Sequence, residues 1–151
     1  MAQRFLNDSA SFGVGYPVIG ANSIVFSPTD AVYINTSGFL DSASTSSKVL
    51  GFALDNITMA SDNQTVAKVT PKYCYADAVL VVYPGDSACT QTKVGEYADL
   101  VTTTSGGQIL NGTTAATGQF FVIGFDPDGD GTTTDYVVRV AEPQTMAFAQ
   151  A

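Results

Sequence analysis

Histidine and tryptophan are absent from this 151-residue chain, and lysine and arginine together number only six. Without histidine the chain lacks the commonest general base and the commonest metal ligand at neutral pH. Ser-His-Asp and Cys-His arrangements are excluded within the chain. Two cysteines cannot by themselves complete the usual zinc sites. The six cations, Arg4, Lys48, Lys68, Lys72, Lys93 and Arg139, face fourteen acids, for a net charge of −8. They are scattered, so neither nucleic-acid phosphates nor an anionic membrane surface would find clustered positive charge. No run approaches the ~18 apolar residues of a membrane span. No continuous apolar stretch follows Arg4, so a secretory signal is not expected. Carboxylate chemistry remains open in principle, but no Asp or Glu pair is marked out by its context. The expectation is a protein that is not an enzyme.

What is present is β-forming. Hydrophobic residues make up 45% of the chain and charged residues 13%, so Ser, Thr, Gly and Asn supply the polarity. The length suits one domain with a real core. The chain is organised around a hairpin over residues 119–140. Its flanks, Gln119–Phe125 and Tyr136–Val140, are rich in aromatic and β-branched residues. Tyr136, Val138 and Val140 share one face of the return strand, and Val137 and Arg139 share the other. The exposed character of Arg139 predicts a partly open second face. Val79, Val81, Phe121 and Ile123 are expected to be buried. The continuously apolar run at 78–83 is the expected central strand. Further strands are expected at 23–27, 31–35, 48–53, 65–70, 98–103 and 108–110, with a Ser-rich linker at 41–47.

No segment has a 3.6-residue apolar period. The chain therefore reads as all-β, an antiparallel barrel or sandwich. Its expected divisions are an irregular N-terminal arm at 1–22, a β domain at 23–142 and a tail at 143–151. Gly13, Gly15, Pro17 and Gly20 make the arm irregular. The two cysteines, Cys74 and Cys89, are expected to be free, because strands meeting at the Pro84-Gly85-Asp86 turn would not set them opposite each other. Free thiols fit a reducing cytoplasm.

Within the hairpin, Asp126, Asp128 and Asp130 stand at positions one, three and five of a calcium-loop pattern, with Gly131 at six. The twelfth position is Val137, where that loop needs a bidentate Glu, and the flanks are strands. These three carboxylates with Asp135 can hold Ca2+ weakly; otherwise they form a solvated turn that keeps an edge from pairing. Four Asn-x-Ser/Thr triplets, at Asn35, Asn56, Asn63 and Asn111, fit chance in a Ser/Thr-rich chain better than glycosylation.

Four stretches carry a resemblance: Lys48–Asn56, Val94–Leu100, Gly107–Gly112, and Gly118–Phe125 with Tyr136–Val140. Taken in order, they resemble the small β-rich decoration, or cement, proteins of tailed-bacteriophage heads. The resemblance implies a homotrimer on the outside of a capsid, made in the host bacterial cytoplasm, that bridges subunits of the major capsid protein without cofactor or catalytic residues. The arm is the segment expected to reach that partner, with Phe5, Leu6, Phe12 and Tyr16 as apolar anchors and a β domain that folds without it. The rival expectation is a calcium-stabilised β-sandwich adhesion or carbohydrate-binding module with the acidic loop as its site.

Overall fold

Two antiparallel sheets packed face to face form the centre of the molecule, in a sandwich-like all-β fold with no closed barrel among the described residues. The computed structural model describes residues 3–6, 13–77, 79–102, 107–125 and 134–146. In chain order the strands are β1 (Arg4–Phe5), β2 (Val25–Phe26), β3 (Ala31–Ile34), β4 (Leu40–Ser42), β5 (Gly51–Ala53), β6 (Ile57–Thr58), β7 (Tyr73–Tyr75), β8 (Val81–Pro84), β9 (Tyr97–Ala98), β10 (Leu100–Thr102), β11 (Gln108–Leu110), β12 (Phe120–Phe125) and β13 (Asp135–Val140). A five-stranded sheet runs β1-β8-β13-β12-β9 and a four-stranded sheet β4-β3-β5-β7, with β10-β11 and β2-β6 as separate pairs.

The expected hairpin is present, and its return strand β13, rather than the 78–83 run, lies at the centre of the larger sheet. Core-facing side chains recur with the two-residue period of a strand, although Val137 on the other face of β13 is buried as well. Tyr136, Val138 and Val140 join Phe120, Val122, Val81 and Tyr83 in the core between the sheets, while Arg139 points out. The expectation for β12 was one residue out of phase. Phe120 and Val122 are fully buried, Phe121 is half-buried and Ile123 is 38% exposed. A β-bulge explains the rest of the strand. Val122 pairs with Val138 but Gly124 pairs with Val137, so Ile123 is the extra residue. One inserted residue exchanges the faces of a strand, and beyond it Phe125 turns back to pack against the core.

The four-stranded sheet is covered on both faces. Ala31, Phe52 and Cys74 enter the core between the sheets, whereas their neighbours Val32, Ala53 and Tyr73 enter a second core with Phe26, Leu40 and Met59. Phe52 is the hub of the first core, its ring 6.2 Å from Phe5, 6.4 Å from Tyr83 and 6.4 Å from Phe120. Phe52 and Cys74 are directly opposed in the β5–β7 register, beside the Gly51–Tyr75 pair. A Cβ at Gly51 would overlap the carbonyl oxygen of Cys74, so only glycine permits that approach.

The described residues of the N-terminal segment are bonded to the body. Arg4 and Phe5 pair with Val82 and Val81. Residues 13–21 form a belt across the four-stranded sheet. At one edge Val14 bridges Cys74 and the Gly15 amide donates to Tyr73 O; at the other Gly20 bridges Leu40 and the Ala21 amide donates to Leu40 O. Such pairing covers both edges of that sheet.

Two further expectations are corrected. Residues 65–70 are not a strand: Asn63–Ala67 form a π-helical turn ended by Lys68 at φ 54°. The fully buried Asn63 side chain holds that turn, with Nδ2 donating to Gly20 O and Val69 O and Oδ1 accepting the Val69 amide. The Ser-rich segment is not a free linker either. Its start is β4, Ala43 is buried, and two buried glutamines grip it. Gln108 Nε2 donates to Ala31 O, Ser42 Oγ and Ala43 O; Gln119 Nε2 donates to Ser44 O and Ser47 O while its Oε1 accepts the Leu100 amide.

Candidate ligand groove and interaction surface

The five-stranded sheet has one face on the core and one turned outward. Across the outward face, directly opposed positions place Tyr97 beside Phe121 and Phe121 beside Arg139. The Tyr97 and Phe121 rings meet edge to face at 5.2 Å. Arg139 and Glu142 line a shallow hollow of about 330 Å³ above this row, together with Ile123 and Ala141. The same two residues also line a groove of about 700 Å³. Its other wall comes from the end of β7 and its neighbours: Leu50, Tyr75, Ala76 and Asp77.

Tyr75 is the best-defined group in that groove. It is 43% exposed, yet its ring is fixed at two points. Its hydroxyl accepts the Tyr16 amide at 3.1 Å, and its ring stands edge to face with Tyr73 at 5.7 Å. Tyr73 is itself tied to the belt, its hydroxyl donating to Tyr16 O at 2.9 Å. Burial, with the nearby Tyr75 adding to it, pushes the Tyr73 hydroxyl up to about 12. Tyr73 thus stays neutral at physiological pH as a hydrogen-bonding, apolar surface.

A second constellation joins Ser87, Lys93 and Tyr136. Lys93 Nζ donates to Ser87 Oγ at 2.8 Å, Ala88 O at 2.7 Å and Tyr136 OH at 3.0 Å, and it lies 5.6 Å from the Tyr136 ring centroid. Ser and Lys at this distance can form a nucleophile and its base. Here Lys93 Nζ is shared among three acceptors. Tyr136 OH also donates to Ser87 O, so the group pins the turn after β8.

The residues singled out in the sequence do not form one site. Phe5 packs in the core, Leu6 is half-buried with its amide on Leu80 O, and Tyr16 is 77% exposed on the belt. Phe12, Asp126, Asp128 and Asp130 lie outside the described residues, and Asp135 is buried at the start of β13, paired with Pro84. Among the described residues no three His, Cys, Asp or Glu side chains form a metal-binding group. Both cysteines are free and buried, and burial raises their thiols, Cys89 to about 11. Asn63 is enclosed, and Asn35 and Asn111 accept backbone amides two residues on, so of the four triplet asparagines Asn56 is the exposed one. Among the described residues no helix is long and apolar enough to cross a membrane.

Comparison with protein-family models, with curated proteins and with solved structures found no match. The groove itself was hidden in the sequence, because Tyr75 and Arg139 meet only through the fold.

Proposed function

We propose that this chain is a non-enzymatic decoration protein of a tailed-phage head, a homotrimer that bridges neighbouring major capsid protein subunits from outside the shell. One observation carries the reading beside the resemblance of the four stretches. Six of the seven large apolar side chains left exposed among the described residues lie on segments around the second core, Ile123 being the seventh. Val14, Tyr16, Val25, Val66, Val69 and Tyr75 all belong to the belt, β2, the π-helical turn and β7, which surround the second core. These segments are bonded together, the Gly20 amide to Val69 O, the Asn22 amide to Gln64 Oε1 and the Ser23 amide to Ala60 O. Clustered exposed apolar groups mark interaction surfaces, and a closed rotational symmetry lets one patch serve every copy. The net charge of −8 opposes contact with packaged DNA and so favours the exterior. Tyr16, on the belt, is the anchor that this surface retains from the sequence reading.

Sedimentation equilibrium of the purified chain tests the assembly, and co-sedimentation with shells of the coat protein encoded in the same genome tests the partner. A trimer that binds the shells is expected, with binding lost in a Tyr16→Asp, Val66→Asp double variant that keeps the native melting curve. A monomer that ignores the shells overturns the proposal.

A further inference from the structure

We propose that the groove between Tyr75 and Arg139 binds a short, uncharged oligosaccharide. Its volume of about 700 Å³ falls within the ~300–1,000 Å³ of small-ligand sites, which combine apolar walls with a few convergent polar groups. Here the apolar wall is Leu50, Ala76, Val140 and the Tyr75 ring, and the polar groups are Asp77, Arg139 and Glu142. A sugar ring has a C–H face that packs on an aromatic ring and a rim of hydroxyls that both donate and accept. The guanidinium supplies only donors and the two carboxylates only acceptors, so together they match both halves of a hydroxyl pair.

The charge balance selects against other ligands. Two carboxylates flank one cation in a chain of net charge −8, so an anionic ligand is repelled. A wholly apolar ligand would strip water from three charged groups with no compensation. The fixing of Tyr75 is the strongest sign of a built site. Its hydroxyl is held by the belt and its edge by Tyr73, so the ring loses little freedom when a ligand covers it. The groove shares Tyr75 with the belt side and Leu50 with the second core, whereas Arg139 brings to it the outward face of the five-stranded sheet.

Isothermal titration of the full chain with maltotriose, cellotriose and N,N′,N″-triacetylchitotriose tests this inference. Saturable binding of at least one probe is expected, weakened about tenfold or more in Tyr75→Ala. Arg139→Gln provides the independent check, since Arg139 is exposed and its loss leaves the core intact; it should weaken binding with an unchanged melting curve. Failure of all three sugars to bind overturns the inference, as does binding that neither variant alters. Neither result touches the trimer and shell measurements, so the two proposals fail separately.

Discussion

At the scale of single residues, the tyrosines of β7 link the belt, the second core and the groove. The Tyr73 hydroxyl titrates near 12 in the folded chain against an ordinary value of 10, because burial penalises the phenolate first and the nearby Tyr75 adds to it. A group whose folded value is raised supports stability fully below its unfolded value and loses that support as pH climbs through the folded one. Stability should therefore fall between pH 10 and about 12. In Tyr73→Phe the melting temperature should be lower at neutral pH, from the lost bond to Tyr16 O, but flatter across that alkaline range. Melting curves at intervals from pH 8 to pH 12 check it; equal slopes in the two proteins would place the alkaline loss elsewhere. Tyr83, fully buried and likewise raised by burial, keeps some slope in the variant.

At the scale of elements, two glutamines hold together what the strands alone would leave open. Gln119 and Gln108 fix residues 42–47 against both sheets through backbone carbonyls. Gln119→Leu keeps the volume but takes the side-chain partner from the Leu100 amide and the Ser47 carbonyl, while the Ser44 carbonyl keeps only the Ser47 amide. At about 1–3 kcal/mol for each buried orphan, the loss should reach about 3 kcal/mol, or a fall of about 10 °C in melting temperature. An unchanged melting temperature would mean that the segment is free to move away. Strands with dense β-branched and aromatic residues, β3, β8, β12 and β13, were legible in the sequence. The phase of β12 was not, because Phe120–Ile123 is apolar at every position and alternation carries no signal there. Val66 and Val69 imitated a strand for the same local reason, and only the long-range grip of Asn63 on Gly20 makes that stretch a turn. Serine content made 41–47 look like a linker because its fasteners, Gln108 and Gln119, are 60 or more positions away.

At the scale of the whole molecule, the beginning of the chain is part of the sandwich. β1 pairs with β8, Phe5 meets Phe52, and the belt caps both edges of the smaller sheet. Removing residues 1–16 should therefore destabilise the domain by more than the ~2 kcal/mol of one large apolar side chain, in contrast to the expectation of a separable arm. Chemical denaturation of the truncated chain measures this. A midpoint equal to that of the full chain would restore the separable arm. The sequence disclosed the all-β class through its punctuation of Gly, Pro, Asn and Asp. It could not disclose that residues 4–5 and 13–21 serve different sheets, because those pairings depend on partners scattered from residue 40 to residue 82.

The place of β13 has a consequence for how the protein is made. The strand at the middle of the larger sheet is the last of that sheet's described strands to leave the ribosome. Until residues 135–140 emerge, β8 with β1 and β12 with β9 are two unjoined ribbons, each with a bare edge and an apolar face. The nascent chain thus cannot mature piece by piece along its length, as a string of local hairpins would. Closure is a single late event that joins distant segments, which makes it slow by the ordinary relation between topology and rate. Through that interval the growing chain depends on its low concentration, its negative charge and the chaperones of the cell to avoid pairing with its neighbours.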